Sequence, residues 1–199
     1  MWRAIRACGV ALGLARAVAA QRAFDGVVTY HTVGLGPGFD QLVVMERGSR
    51  VRVETRPADT AGPVVRIIDY GTGRLTTLFP GVRRFSQTAV ADQPRPEPLS
   101  VRPTGRRETI AGLACDVYDL EDGSGDACVA QELGHCIAVE GSAGIGGDRR
   151  VVAVMRSFKE GAVPLRIRFG RQTYTAIRVE QRTVSDDQFQ VPANYTETR

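Results

Sequence analysis

Lysine is almost missing from this 199-residue chain: of its 26 basic residues only Lys159 is lysine and the others are arginine. A bias of that size reads as codon usage in a GC-rich genome before it reads as selection for the phosphate-binding fork of the guanidinium. The arginines are dispersed among acids and hydrophobes, as in Arg50-Val-Arg-Val-Glu-Thr-Arg56, where they take alternate positions of an expected strand. The expectation is a solvated strand face, with no nucleic-acid partner. Histidine is scarcer still, with only His31 and His135, placed in different expected strands. A catalytic zinc usually takes three protein ligands rich in histidine, and neither Cys-x-x-Cys nor His-Glu-x-x-His occurs, so no metal and no cofactor is expected. The Gly-x-Ser-x-Gly elbow is absent too, and Ser49, Ser124 and Ser142 stand in turn-like composition. Asp59-Thr-Ala-Gly62 carries one alanine too many for an aspartic-protease Asp-Thr-Gly. Gly141-Ser-Ala-Gly-Ile-Gly-Gly147 lacks the Gly-Lys-Ser/Thr ending of a nucleotide loop and reads as a connector. No catalytic residue is assigned, and the expectation is a protein that is not an enzyme.

What is present begins with an export signal. Met1-Trp-Arg-Ala-Ile-Arg6 is a short cationic start, Ala7 to Ala15 an apolar core of about nine residues, and Ala17-Val-Ala-Ala20 the small residues that a signal peptidase accepts before Gln21. That core is too short for a permanent span, which needs roughly 20 apolar residues, and nothing in 21–199 approaches that length, so no transmembrane segment is expected. Cys8 stands at the very start of that core, with Ile-Arg-Ala before it, and lacks the apolar-then-small context of a lipid-anchored cysteine. The expected organisation is a cleaved signal at 1–20 and a single β domain at 21–199, located in the periplasm or secreted. Cleavage removes Arg3, Arg6 and Arg16 and no acid, which leaves the remaining basic residues nearly balanced by the 22 Asp and Glu. The basic pI is mostly a property of the leader.

Period-two alternation dominates the rest. Val51, Val53 and Thr55 alternate with arginine and glutamate, Leu165, Ile167 and Phe169 with Arg166 and Arg168, and Thr175, Ile177 and Val179 with Arg178 and Glu180. Further strands are expected over 26–33, 41–47, 64–70, 74–79, 82–87, 108–111, 115–120, 127–131 and 135–139, separated by Gly-rich turns such as Tyr70-Gly-Thr-Gly73 and Asp122-Gly-Ser-Gly125. Short strands punctuated this often imply an antiparallel meander. The four prolines of Asp92 to Thr104 predict a loop crossing between two halves of the sheet. Val151, Val154, Met155 and Phe158 fall at helical spacing within Asp148 to Glu160, the one long helix expected. Ser185-Asp-Asp-Gln188 has the form of a capping box and predicts a single helical turn.

Cys115 and Cys128 flank a hairpin centred on Glu121 to Ser124. Folding about that centre places residue 117 opposite 126 and 115 opposite 128, and in an oxidising compartment the pair reads as a structural disulfide worth roughly 3 kcal/mol. Cys128 with Cys136 is the alternative pairing; an unpaired Cys136 reads as a small buried hydrophobe.

Phe24-Asp-Gly-Val-Val-Thr-Tyr30, Glu108-Thr-Ile-Ala-Gly-Leu-Ala-Cys-Asp-Val-Tyr118 and Thr183-Val-Ser-Asp-Asp-Gln-Phe-Gln-Val-Pro-Ala-Asn-Tyr195 together resemble an uncharacterised family of exported bacterial proteins related in fold to the periplasmic lipoprotein carriers of the LolA and LolB type. The resemblance implies an unclosed antiparallel β-barrel of about ten strands with one helix against its concave face. It also supports Cys115 with Cys128, since such relatives carry a cysteine in the Ala-Gly-x-x-Cys position and a partner one hairpin later. Val151, Val154, Met155 and Phe158 would line the cavity or plug it. In carriers of this shape an apolar concavity accepts acyl chains, because burying hydrocarbon contributes about 0.8 kcal/mol per CH₂. The function expected is binding of a lipid, a lipoprotein acyl chain or another apolar ligand. The alternative is an envelope assembly module whose cavity is self-filled and whose partner is an envelope protein, and an enzyme using Cys136 or a histidine ranks last.

Overall fold

In the computed structural model the described residues are 24–35, 39–57, 63–92, 97–134, 153–154, 157–158 and 162–198. They are mainly β. Twelve strands run as β1 (Gly26–Val33), β2 (Phe39–Arg47), β3 (Arg50–Pro57), β4 (Val64–Asp69), β5 (Arg74–Phe79), β6 (Arg84–Ala89), β7 (Val101–Ile110), β8 (Leu113–Leu120), β9 (Gly125–Ala130), β10 (Val163–Phe169), β11 (Gln172–Gln181) and β12 (Thr196–Glu197). All belong to one open sheet in the order β12-β6-β5-β4-β3-β2-β1-β11-β10-β9-β8-β7. Every pair is antiparallel except β12 with β6. The first meander runs from β1 out to β6, and the second starts at the far edge with β7 and returns to place β11 against β1.

The proline-rich crossing therefore does link the two halves, since β6 and β7 lie far apart in the sheet. It is shorter than the composition implies, because β7 begins at Val101 and takes in Pro103. Proline is tolerated there because β7 is an edge strand and its register slips between Pro103 and Arg107, where no continuous ladder asks for a donor. Ala111 does not extend that strand: with Gly112 it forms the β7–β8 turn, both residues at positive φ, 51° and 79°. The mirror-image turn that closes a two-residue hairpin demands this conformation.

Alternation predicts each strand well because opposite residues of a ladder project to one face. On the front face Val28, Tyr30, Leu42, Val44, Val51, Val53, Ile68 and Leu75 join Ile167, Tyr174 and Ala176 in one buried cluster. On the back face of the first meander Val27, Val43, Val65, Ile67 and Leu78 form a second cluster with Val184 and Phe189. The chain after β11 thus lies across the back of β1–β6 and ends beside β6.

Arg50 and Arg52 of β3, with Arg47 at the end of β2, belong to that contact, which corrects the expected solvated face there, while Arg56 is exposed as expected. Arg52 donates to the Gln188 carbonyl at 2.9 Å and Arg47 to the Val184 carbonyl at 2.9 Å. The Arg50 guanidinium stands 4.9 Å from the centre of the Phe189 ring and pairs with Asp186, which Arg47 also reaches at 3.2 Å. A strand rich in arginine reads as wet, yet here its charged ends meet backbone carbonyls and a carboxylate while the stems pack on an aromatic ring. The single turn at Asp186–Phe189 forms as expected after Ser185, but without a capping box: the Ser185 hydroxyl bonds the Asp187 carboxylate and no side chain caps the turn.

Of the expected helix, Ala153, Val154 and Ser157 are helical among the described residues. The Ser157 hydroxyl donates to the Ala153 carbonyl at 3.0 Å, a one-turn bond, and the Leu99 amide donates to the same carbonyl at 3.3 Å. Val151 and Met155 lie outside the described residues, as do the 1–20 leader, Asp59 to Gly62, His135, Cys136 and the Gly141 to Gly147 connector. No helix of the described residues is long and apolar enough to cross a membrane.

Candidate functional site

The second meander carries the covalent bond that the cysteine spacing predicts. Cys115 and Cys128 form a disulfide with their Cα atoms 5.4 Å apart. The register differs from the expected one by two residues: Val117 stands opposite Cys128 and Asp119 opposite Asp126. The cysteines are diagonal neighbours, on one face because a shift of two preserves the pleat. Gly125 fixes where β9 can begin, since a Cβ there would lie 1.8 Å from the Arg168 carbonyl oxygen.

Over this bond sits a charge cluster that the sequence shows only as scattered residues. Glu108 of β7 is opposite Cys115, and Arg166 of β10 is opposite Cys128. The bend of the sheet brings the two together across β8 and β9, and Arg166 Nη2 donates to Glu108 Oε1 at 3.0 Å and to Asp126 Oδ1 at 3.2 Å. Arg168 Nε adds a bond of 2.7 Å to Asp126 Oδ2. The hydrogen bond from Arg166 holds the Glu108 carboxyl below the usual carboxylate range against the opposing effect of burial, and the same bond raises Arg166. A depressed carboxyl contributes stability that is present above the unfolded value of about 4.3 and is lost as pH falls through the folded value. Melting temperature should therefore fall between about pH 5 and pH 3, less steeply in Glu108→Gln. Parallel curves for the two proteins would remove Glu108 from this account.

On the front face the ladders line up residue rows across the first meander. One runs Glu46, Val51, Ile68, Leu75, and its neighbour Val44, Val53, Arg66, Thr77, Ser86. Val154 of the helical segment and the half-buried Phe158 join the same cluster, and the Phe158 ring meets Tyr118 edge-on with centroids 5.0 Å apart. Two ionisable groups interrupt this aliphatic surface, neither singled out by the sequence reading. Glu46 is fully buried at 0% exposure and is partnered. Arg66 is half-buried, and burial lowers its pKa. A usable signal existed, since Glu46 shares the parity of Leu42 and Val44, and Arg66 that of Val64 and Ile68; a charge standing in an apolar register marks an exception to alternation.

With this geometry in hand, the comparisons speak to fold. No family model matches the chain, and no curated protein sequence does. Among solved structures, PNGF-II is similar in one crystal form with a TM-score of 0.50 at 14% identity, covering 88% of this chain and 31% of that one. A second crystal form of PNGF-II gives 0.46 at the same identity and coverage. The likeness concerns architecture alone. This chain spans less than a third of PNGF-II, so an open antiparallel sheet of this kind can form part of a larger protein.

Chemically, the described residues hold no group of three or more His, Cys, Asp or Glu placed to bind a metal. His31 is exposed, and its Nδ1 lies 3.1 Å from the Asp40 carbonyl. What the arrangement offers is two apolar clusters, one on the back covered by the chain's own C-terminal stretch and one on the front, equally buried, whose aliphatic rows Glu46 and Arg66 interrupt.

Proposed function

We propose that this is an exported binding protein, not an enzyme, which holds a lipid, a lipoprotein acyl chain or a similar apolar ligand against the front of a half-barrel, in the manner suggested by its resemblance to the LolA and LolB type of carrier. The observation that carries the reading is the continuous aliphatic cluster on the front of the open sheet. The back face is closed by Val184 and Phe189 of the same chain. On the front, Val28, Leu42, Val44, Val51, Val53 and Ile68, all buried, form one cluster with Val154 of the helical segment and Phe158, so a ligand there would displace what covers them. An acyl chain sharing that space would gain about 0.8 kcal/mol for each CH₂ removed from water. The Cys115–Cys128 bond is compatible with an exported protein, because disulfides persist in oxidising compartments.

The test is titration of the purified, signal-free protein with a fluorescent hydrophobic probe beside a thermal melt. Saturable enhancement with a single cooperative melt is the expected result. A cooperative melt with no enhancement would overturn the reading and leave the assembly module with a self-filled face. Mass spectrometry of the native protein from its own compartment should show a copurifying lipid.

A further inference from the structure

The large apolar side chains exposed among the described residues are Val33, Phe39, Phe79, Val82 and Ile177. Singly, such residues are normal and call for no explanation. Their placement does. Val33 ends β1 and Phe39 begins β2, while Phe79 ends β5 and Val82 lies in the turn before β6. Register puts all four at one end of the sheet: Phe39 is opposite Pro57, Thr55 opposite Val64, Val65 opposite Leu78 and Phe79 opposite Arg84. The other end, with the β2–β3 turn at Gly48 and Ser49 and the β4–β5 turn at 70–73, exposes no large apolar side chain among the described residues. Only Ile177 stands apart, on β11 where its register with β1 shifts.

The same end is cationic. Arg83 and Arg84 follow Val82, and Arg171 lies in the β10–β11 turn, beside the end of β1 where Val33 faces Thr173. All three are exposed, and none has an ion pair among the described residues. Arg56, also exposed, shares Glu54 with Arg52. The exposed acids beside them are Asp40 and Glu197. The β8–β9 turn at this end carries Glu121 and Asp122, so the positive part of the rim is the first meander with the β10–β11 turn. Arg83 and Arg84 also wall a cleft of about 400 Å³ with Asn194, Thr196 and Thr198, Glu197 being its one acid. From β1 to β6 the rim is about 24 Å long at the usual strand spacing. Apolar tips interleaved with arginines match an anionic bilayer, where hydrocarbon lies beneath a layer of phosphates. The centre of a protein interface ordinarily excludes charge, whereas here Arg83 adjoins Val82 directly.

We infer that this end of the sheet is a membrane-docking edge, with Phe79 and Val82, beside Val33 and Phe39, entering the interface of an anionic bilayer while Arg83, Arg84 and Arg171 pair with its phosphates. The inference goes beyond the apolar-ligand reading and does not depend on it, because none of these residues belongs to the front cluster.

The one tryptophan of the chain, Trp2, lies in the expected leader, so a tryptophan placed at a tip of the signal-free protein reports alone. Val82→Trp is mixed with vesicles of phosphatidylcholine, or of phosphatidylcholine with phosphatidylglycerol, and cosedimentation of the wild type gives affinity. Thr72→Trp, in the exposed turn at the opposite end, is the control. The wild type should cosediment with the anionic vesicles alone, and these should shift Val82→Trp emission to shorter wavelength while leaving Thr72→Trp unchanged. An arginine near such a surface is worth about fivefold in affinity, so Arg83→Asn with Arg84→Gln should weaken cosedimentation roughly 25-fold. Asparagine suits position 83, where φ is 51°. An unchanged melt shows that the variants fold, and the tryptophan comparison keeps the arginines intact. Failure of the wild type to cosediment with anionic vesicles would overturn the docking edge, whatever the front face binds, and would be the result if a protein partner occupied the tips. Equal binding to neutral vesicles, equal shifts from the two tryptophan positions, or undiminished binding by the folded arginine double variant would overturn it as well.

Discussion

Replacing both Cys115 and Cys128 by alanine is expected to lower the melting temperature by about 10 °C. The bond closes a loop between residues 13 apart in sequence. Removing such a crosslink returns loop entropy to the unfolded chain worth about 3 kcal/mol, and a domain of this size loses roughly 2–4 °C per kcal/mol. Both cysteines are buried, at 1% and 0% exposure, so a reductant must wait for the second meander to open. Calorimetry of the double variant against the oxidised wild type measures the effect. A second measurement, the rate of thiol release under native conditions, should follow local opening and rise steeply near the melt. A change under 2 °C would mean that β8 and β9 are held by their ladder alone.

Arg166→Met should cost about 2 kcal/mol, read as a lower urea midpoint at unchanged slope. Breaking a buried pair ordinarily costs 3–5 kcal/mol because a charge is left stranded. Here the expectation is discounted, since the Glu108 side chain keeps 33% exposure and Arg168 remains to hold Asp126, although Arg166 and Asp126 themselves are only 13% exposed. The decisive comparison is a double-mutant cycle with Glu108→Gln. Arg166→Met combined with Glu108→Gln should destabilise by clearly less than the sum of the single changes, because removing the second charge relieves the first. Strict additivity would show that the bridge across β8 and β9 contributes no coupling.

Strand existence was legible almost throughout, because alternation in stretches such as Arg50 to Thr55 and Leu165 to Phe169 states which residues share a face. Gly26–Val33 and Arg74–Phe79 appear with the expected limits. What alternation cannot state is what each face meets. Arg50 and Arg52 of β3 read as solvated, yet the partner that covers them lies at 184–189, and no local pattern announces a contact of that range. Sheet register is equally invisible: Glu108 and Arg166 become neighbours only once the order β10-β9-β8-β7 is set and bent. The disulfide was legible because its hairpin is local, and the two-residue error in register left it intact, since the pleat repeats every second residue. Arg66 escaped notice because Val65 and Ile67 make both faces of β4 apolar, which blurs the parity on which an exception would stand out.

The arrangement of ladders also bears on how the chain reaches this state. Within each meander every pairing joins consecutive strands, whereas among the described residues the ladder between the two meanders is β1 with β11, and the stretch after β11 adds β12 beside β6. Hairpins zip quickly and distant pairings slowly, so each half should assemble early and the seam late. Synthesis from the N-terminus makes β1 a waiting edge, its amides unclaimed until residues 172–181 arrive and its back uncovered until 184–189 follow. Over that interval the half-made molecule is a template for strands of its neighbours, and it must be kept solitary while it waits.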